Sequence, residues 1–186
     1  MMKLLIASDI HGSAYYCEKL LRCFESEKAD KLLLLGDILY HGPRNDLPKG
    51  HDPKKVIQLL NGYKNMIFNV RGNCDTEVDQ MVLDFPVLAE YSLLTDGVVD
   101  IYATHGHKYN IDVIPPLSKG TILAYGHTHI PNCVEKDGII CINPGSVSIP
   151  KEDSWHGYIL YENGFFVWKD FDGNIKMEYS IDRKGE

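Results

Sequence analysis

The sequence predicts an α/β domain of four layers, α-β-β-α, in which two mixed sheets pack face to face between helices. Three observations lead there. Residues 1 to about 75 alternate apolar runs with helix-like segments, a βαβαβ pattern that implies parallel strands. The second half carries Asp96-Gly97, Asp137-Gly138, Asn163-Gly164 and Asp172-Gly173 between β-prone runs. Such dipeptides are the strongest short-range hairpin signal, so antiparallel strands are expected to dominate there. Finally, five apolar runs stop at Asp, Asn or His: LLIASDIH, KLLLLGD, MIFNVRGNCD, VDIYATHGH and TILAYGHTH. In α/β proteins the crevice beyond the carboxyl ends of strands is where ligands bind.

Each element has a local reason. Leu4 to Ser8 reads as a strand, and Ser13 can cap a helix whose apolar stripe is Tyr16, Leu20, Leu21 and Phe24. Leu32 to Leu35 is continuously apolar, as a strand covered on both faces should be. Pro53 suits the first turn of a helix through Val56, Leu59 and Leu60, and Met66 to Val70 completes the parallel set. Val87 to Leu94 then pairs with Val98 to Ala103, and Asn132 to Glu135 with Ile139 to Ile142. The tail from residue 152 carries no chemical motif. Its aromatics, Tyr158, Tyr161, Phe165, Phe166 and Trp168, read as alternating sheet faces, and an exposed face of that kind would favour a homo-oligomer.

A chain of 186 residues suits one domain, 1–186, able to bury roughly 70% of the surface its unfolded form exposes. With 44% hydrophobic and 24% charged residues, disordered and fibrous classes are excluded. No apolar stretch approaches the roughly 20 residues of a spanning helix, and Met1-Met2-Lys3 with Leu4 to Ala7 reads as a first strand rather than a signal peptide. A cytoplasmic protein without a membrane partner is expected. Five cysteines with no close CxxC pair argue against a disulfide framework or zinc knuckle. The formal net charge of -7 speaks against a large nucleic-acid interface. A small anionic substrate fits if metal ions supply positive charge.

The strand ends offer Asp9, His11, Asp37, Asn73, His105, His127 and His129 as donors. Seven donors over-supply one ion, whereas two ions about 3.5–4 Å apart, bridged by one carboxylate, use them all. Asp37, alone on its turn, is the natural bridge. Asp9/His11 and His127/His129 are alternate residues, which face one way if the backbone stays extended beyond the strand. Gly36, Gly72 and Gly126 sit next to donors, as tight turns or close backbone approaches require. The donor set lacks a thiolate, which favours hard or borderline divalent ions.

Asp9-x-His11, Gly36-Asp37, Gly72-Asn73-Cys74-Asp75, Thr104-His105-Gly106-His107 and Gly126-His127-Thr128-His129 resemble, in order and spacing, the five motifs of the calcineurin-like metallophosphoesterases. More narrowly, the runs SDIHGS, HGPRN, VRGNCD, EVDQM, YGHTH and NPGSVSIPK resemble a YfcE-type bacterial phosphodiesterase subgroup, from residue 2 to about 151. The resemblance implies one ion on Asp9, His11, Asp37 and His129 and another on Asp37, Asn73, His105 and His127. It implies manganese most often, with iron, zinc, nickel or cobalt as alternatives. It also implies hydrolysis of a small phosphate ester by a metal-bridging hydroxide.

Around this set, Asn73, Cys74, Asp75 and His107 are candidate catalytic residues. The family usually places His where Cys74 stands. A neutral thiol is a poorer proton donor, so activated leaving groups should be favoured. Asp75 is expected to orient Asn73 or a ligand histidine, and His107 to support a ligand or its own loop. Arg44 and Asn45, close after Asp37, are candidate substrate-phosphate contacts. Specificity is expected from loops 40–53 and 107–119. His51 and His156 read as surface or structural residues. The alternatives are a non-catalytic scaffold, as in a eukaryotic retromer subunit of similar fold, and a nuclease.

Overall fold

The computed structural model describes residues 2–181; Met1 and residues 182–186 of the expected domain lie outside the described residues. In chain order the elements are β1 (Lys3–Ala7), α1 (Ala14–Ser26), β2 (Lys31–Leu34), α2 (Pro53–Asn61), β3 (Ile67–Asn69), α3 (Glu77–Gln80), β4 (Ser92–Thr95), β5 (Asp100–Ala103), β6 (Ile122–Ala124), β7 (Asn132–Lys136), β8 (Ile139–Asn143), β9 (Gly157–Glu162), β10 (Phe165–Asp170) and β11 (Ile175–Ser180).

Both helices expected early in the chain begin where their caps demand. The Ser13 hydroxyl accepts the Tyr16 N–H at 3.2 Å, and the Asp52 carboxylate accepts the Lys55 N–H at 3.1 Å with Pro53 in the first turn. Asp137-Gly138 and Asn163-Gly164 have positive φ at both residues, the two-residue turn whose twist matches flanking strands. The strand expected over Val87 to Leu94 shortens to Ser92–Thr95. Pro86 has no N–H to offer, and the Gln80 side chain bonds Val87 N–H and the Leu83 and Phe85 carbonyls in place of a neighbouring strand.

The first sheet runs β11-β10-β9-β1-β2-β3 and the second β4-β5-β6-β8-β7. β1, β2 and β3 are parallel, while β9, β10 and β11 add on antiparallel. The second sheet departs from expectation. Its centre, β5-β6-β8, is parallel, and only the edges β4 and β7 are antiparallel. The hairpin dipeptides specify only the pairs they join. The connection 104–121 is a crossover after which β6 returns parallel to β5, and β8 runs parallel to β6 because the chain first passes to β7 at the far edge and then turns back through the Asp137-Gly138 hairpin.

Side chains of β1 and β2 alternate between two cores. Leu5, Ala7, Leu32 and Leu34 face α1 and α2, packing on Cys17, Leu20, Phe24, Val56 and Leu60. Leu4, Ile6, Leu33 and Leu35 face the other sheet, against Ile101, Ala103, Ile122, Ala124, Ile140 and Ile142. Burial on both faces explains why these strands read as unbroken apolar runs. Phe166, Trp168 and Tyr161 of the tail complete the intersheet core; Tyr158 is buried on the helix side, and Phe165 is exposed. The fourth layer is irregular chain rather than helix. Ile111, Ile114 and Leu117 cover Leu123, Tyr125 and Cys141 on the outer face of the second sheet. Among the described residues no helix is long and apolar enough to cross a membrane.

Candidate metal centre

The carboxyl ends of β1, β2, β3, β5 and β6 converge between the two sheets, and each delivers its donors there. Contrary to the extended backbone expected, Asp9, His11, Asp37, His127 and His129 all have left-handed φ, between 50° and 65°. They are half of the ten non-glycine residues of that kind among the described residues. The reason is convergence. An extended chain would run on past the site, whereas a left-handed residue folds it back so that successive donors point inward.

Such residues cost about 1–3 kcal/mol each and persist only where the surroundings over-determine them. Here Asp9 N–H donates to Gly36 O at 3.1 Å and His11 N–H to Asp37 O at 2.9 Å. The Ser146 and Ser148 hydroxyls donate to Asp9 O at 2.8 and 3.1 Å. Of the three donor-flanking glycines, Gly36 needs positive φ (90°), while Gly72 and Gly126 are needed for close approach.

The seven donors form two groups that share one oxygen. Asp9 Oδ1 lies 3.4 Å from His11 Nε2 and 3.2 Å from His129 Nε2, and those two nitrogens are 3.2 Å apart. Asn73 Oδ1 and His127 Nδ1 lie 3.0 and 3.2 Å from His105 Nε2. Asp37 Oδ2 stands between the groups, 3.8 Å from His11 Nε2 and 3.4 Å from His105 Nε2.

Three imidazoles have fixed tautomers. Nδ1–H of His11, His105 and His129 donates to the carbonyls of Tyr40, Leu35 and Ile149 at 2.7, 2.6 and 2.6 Å. A carbonyl only accepts, so each Nδ1 holds a proton and each Nε2 is turned to the centre, where it can give its lone pair to a metal cation or take up a proton.

Lone pairs and carboxylates crowded together require positive charge. Burial opposes a charged His105, yet the Asp37 and Asp9 carboxylates push it up to about 9, and Asp9 likewise raises His11. Burial would raise Asp9, but His11 and His129 hold it well below the usual carboxylate range. Asp9 Oδ1 is buried and has no hydrogen-bond partner, while its other oxygen accepts Ser8 Oγ–H at 2.6 Å and His127 N–H at 3.0 Å. A cation between Asp9 Oδ1, His11 and His129 would satisfy that oxygen and part the two facing nitrogens. The same test holds for Asp9, Asp37 and His105, whose donor atoms lie within 4.8 Å of one another. Oxygen and imidazole donors of this kind fit divalent ions.

The family model of the calcineurin-like phosphoesterase superfamily domain matches residues 2–163. The chain belongs to this superfamily. It is 45% identical over 163 residues to phosphodiesterase YfcE of Escherichia coli K12, covering 88% of this chain and 89% of that protein. The solved structure of E. coli YfcE, described as a phosphoesterase, superposes with a TM-score of 0.94 at 41% identity, covering 97% of this chain and all of that one. A Vps29 mutant from Entamoeba histolytica shares the fold, with a TM-score of 0.63 at 20% identity over 97% of this chain and all of that one.

The remaining candidates of this phosphoesterase fall into different places. Asp75 is buried and orients backbone rather than Asn73 or a histidine. Its carboxylate accepts the N–H groups of Asp37, Ile38 and Gly72 at 2.9, 2.9 and 2.7 Å. Burial pushes its pKa up to about 6. It is a positioning residue, because a carboxylate three positions past a glycine turn reaches amides before it reaches imidazoles.

Cys74 is half-buried; burial and the Asp37 carboxylate push its thiol up, so it stays protonated. Its backbone N–H donates to Asp37 Oδ1 at 2.8 Å. His107 is exposed beside His105, at 5.5 Å between ring centroids. His156 is structural, bonded to Val147 O at 2.9 Å and stacked on Tyr16.

A cavity of about 490 Å³ opens over the donors, lined by Arg44, Asn45, Cys74, Thr128 and Lys151 among others. Asn45 spends its amide N–H on His41 O at 2.8 Å, within its own loop. Loop 40–53 does border the cavity, as expected, but residues 107–119 do not; their apolar side chains are committed to the outer face of the second sheet. Sequence reasoning missed Lys151 and the serines beneath Asp9. The signal was present in the run Asn143-Pro-Gly-Ser-Val-Ser, whose polar residues follow a fully buried strand.

Proposed function

We propose that this phosphoesterase is a cytoplasmic, binuclear metal-dependent phosphodiesterase acting on a small phosphate ester. The observation that carries the reading is the position of Asp37 Oδ2 between the two donor groups, 3.8 Å from His11 Nε2 and 3.4 Å from His105 Nε2. Asp9, His11, Asp37 and His129 would hold one ion; Asp37, Asn73, His105 and His127 would hold the other. Manganese fits the donor set, as do iron, zinc, nickel and cobalt. When bound, two such ions supply Lewis-acid charge to phosphate oxygens and lower the pKa of a shared water. The 45% identity to a protein named phosphodiesterase YfcE supports the diester preference.

The chain's own residues do the rest. Buried imidazoles with fixed tautomers keep their lone pairs on the centre, and Asp75 fixes the turn that carries Asp37. Arg44 borders the cavity where it can meet a phosphate oxygen. Cys74 remains a neutral thiol, a weak donor to a leaving oxygen.

The test is turnover of bis-p-nitrophenyl phosphate by manganese-loaded protein, with metal content near two ions per chain. Asp37→Ala and His105→Ala should each lose activity by at least about a thousandfold. Two tightly held ions without turnover would leave the scaffold alternative, and cleavage of polymeric DNA or RNA in preference to small diesters would favour the nuclease.

A further inference from the structure

Two cations lining the cavity have no partner for their charge. Neither the Lys151 ammonium nor the Arg44 guanidinium makes an ion pair or hydrogen bond among the described residues. Lys28, Lys54, Lys55 and Lys119 likewise have no carboxylate within 4 Å among the described residues, so it is their place in the cavity wall that sets Lys151 and Arg44 apart. Lys151 is nonetheless firmly mounted. Its N–H donates to His129 O at 3.2 Å, while His129 Nδ1–H donates to Ile149 O at 2.6 Å. The segment leading to it is tied under Asp9 by Ser146 and Ser148. Glu152 and Asp153 follow with φ of 52° and 54°, and neither comes within ion-pair distance of the ammonium.

Position distinguishes the two cations from the centre below. The donors Asp9, His11, Asp37, His105 and His129 are buried, whereas Lys151 and Arg44 are exposed and stand at the mouth, one on the loop after β2 and the other on the loop after β8. A floor that holds divalent ions repels both, so their placement suits a guest with more negative charge than one diester group brings. The cavity of about 490 Å³ lies within the range of about 300–1,000 Å³ that takes drug-sized molecules, well beyond a lone phosphate. An ammonium is a compact point charge and a guanidinium a planar fork, and both recognise phosphate.

We propose that Lys151 is a specificity-determining residue that, with Arg44, binds a second anionic group of the substrate, a phosphate carried beyond the one at the floor. The proposal rests on the phosphodiesterase reading. The site then selects phosphodiesters that bear a further phosphate over those that do not.

The experiment uses two probes with the same scissile diester and the same leaving group: thymidine 5′-(p-nitrophenyl phosphate) and its 3′-phosphorylated counterpart. Manganese-loaded enzyme should prefer the second by at least about tenfold in kcat/KM, through KM, which is the scale of one charge-assisted contact. Lys151→Met should shrink that ratio to below about threefold, and Lys151→Arg should restore most of it. Calorimetry gives a second readout, in which thymidine 3′,5′-bisphosphate binds more tightly than thymidine 5′-phosphate and Lys151→Met removes the difference.

A wild-type ratio near one, or equal losses on both probes in Lys151→Met, overturns the proposal. Absent turnover with the calorimetric preference intact removes the phosphodiesterase reading and keeps the anion site. Absent turnover with no preference removes both.

Discussion

Asp75 holds Asp37 by the backbone: its Oδ2 accepts the Asp37 N–H at 2.9 Å while its Oδ1 accepts that of Ile38 at 2.9 Å. The same Oδ2 also accepts Gly72 N–H at 2.7 Å, so one buried carboxylate joins the turn after β2 to the turn after β3. The oxygen proposed to bridge two ions is therefore placed by a residue that touches neither.

Asp75→Asn tests that coupling. The amide sets its own N–H groups against one of the donor pairs, at about 1–3 kcal/mol for each donor left unsatisfied. Manganese affinity should fall by about 10–100-fold, the usual effect of losing an outer support. Calorimetric titration of the metal-free protein checks it; an unchanged Kd would show that Asp37 is positioned by other means.

Cys74 offers the clearest change in chemistry. Its protonated thiol lies beside Asn73, whose amide N–H reaches Sγ at 3.2 Å. Cys74→His places a better proton donor there, and a positioned acid is worth about 10²–10⁴. The gain should be confined to esters with poor leaving groups. A plot of log kcat/KM against leaving-group pKa should be steep for the wild type and shallower for the variant; parallel lines would deny that residue 74 meets the leaving oxygen.

The donor set and both βαβ crossovers could be read from the sequence because each rests on a local signal: an apolar run, a cap, or an Asp or His at its end. The shape of the donor loops could not. Alternating donors suggest an extended backbone, yet five of them are left-handed, a conformation held by bonds between donor turns distant in the chain, such as Gly36 O on Asp9 and Asp37 O on His11. The parallel centre of the second sheet escaped for a similar reason, since hairpin dipeptides say nothing of the crossover through 104–121. Lys151 has no motif of its own, and it is long-range bonds, its N–H on His129 O and the serines of its segment on Asp9 O, that bring it to the cavity.

Acid stability should report the turn between β10 and β11. Burial would raise the pKa of Asp170, but the Asn174 side chain, the Lys176 ammonium and the N–H groups of Asn174 and Asp172 outweigh it and hold the carboxyl at about 2. The unfolded chain takes its proton near the ordinary value of about 3.9. A depressed folded pKa gives stability that is present above the unfolded value and lost as pH falls towards the folded one. Urea unfolding should show Asp170→Asn less stable than wild type at pH 6, with the gap closing between about pH 4 and pH 2. A gap independent of pH would mean that the carboxylate charge contributes nothing.

Two glycines should respond to alanine in opposite ways. Gly97 has φ 84° and nothing within 4 Å of an added Cβ, so Gly97→Ala meets only the strain of the left-handed region, about 1 kcal/mol. Metal affinity should not change. Gly126 is not in the positive-φ region, but an added Cβ would overlap Ser8 Oγ and come within 2.8 Å of Asp9 Oδ2. Ser8 and Asp9 follow directly on β1 in the middle of the first sheet, with Asp9 tied by its N–H to Gly36 O, so the loop after β6 that carries His127 and His129 has to give way. Gly126→Ala should lose manganese binding by more than about tenfold, since a donor displaced by a fraction of an ångström no longer closes the set. Measured side by side, thermal unfolding should shift in both variants and the metal Kd only in Gly126→Ala. Retained affinity there would show that the loop after β6 can move without carrying its histidines off the centre.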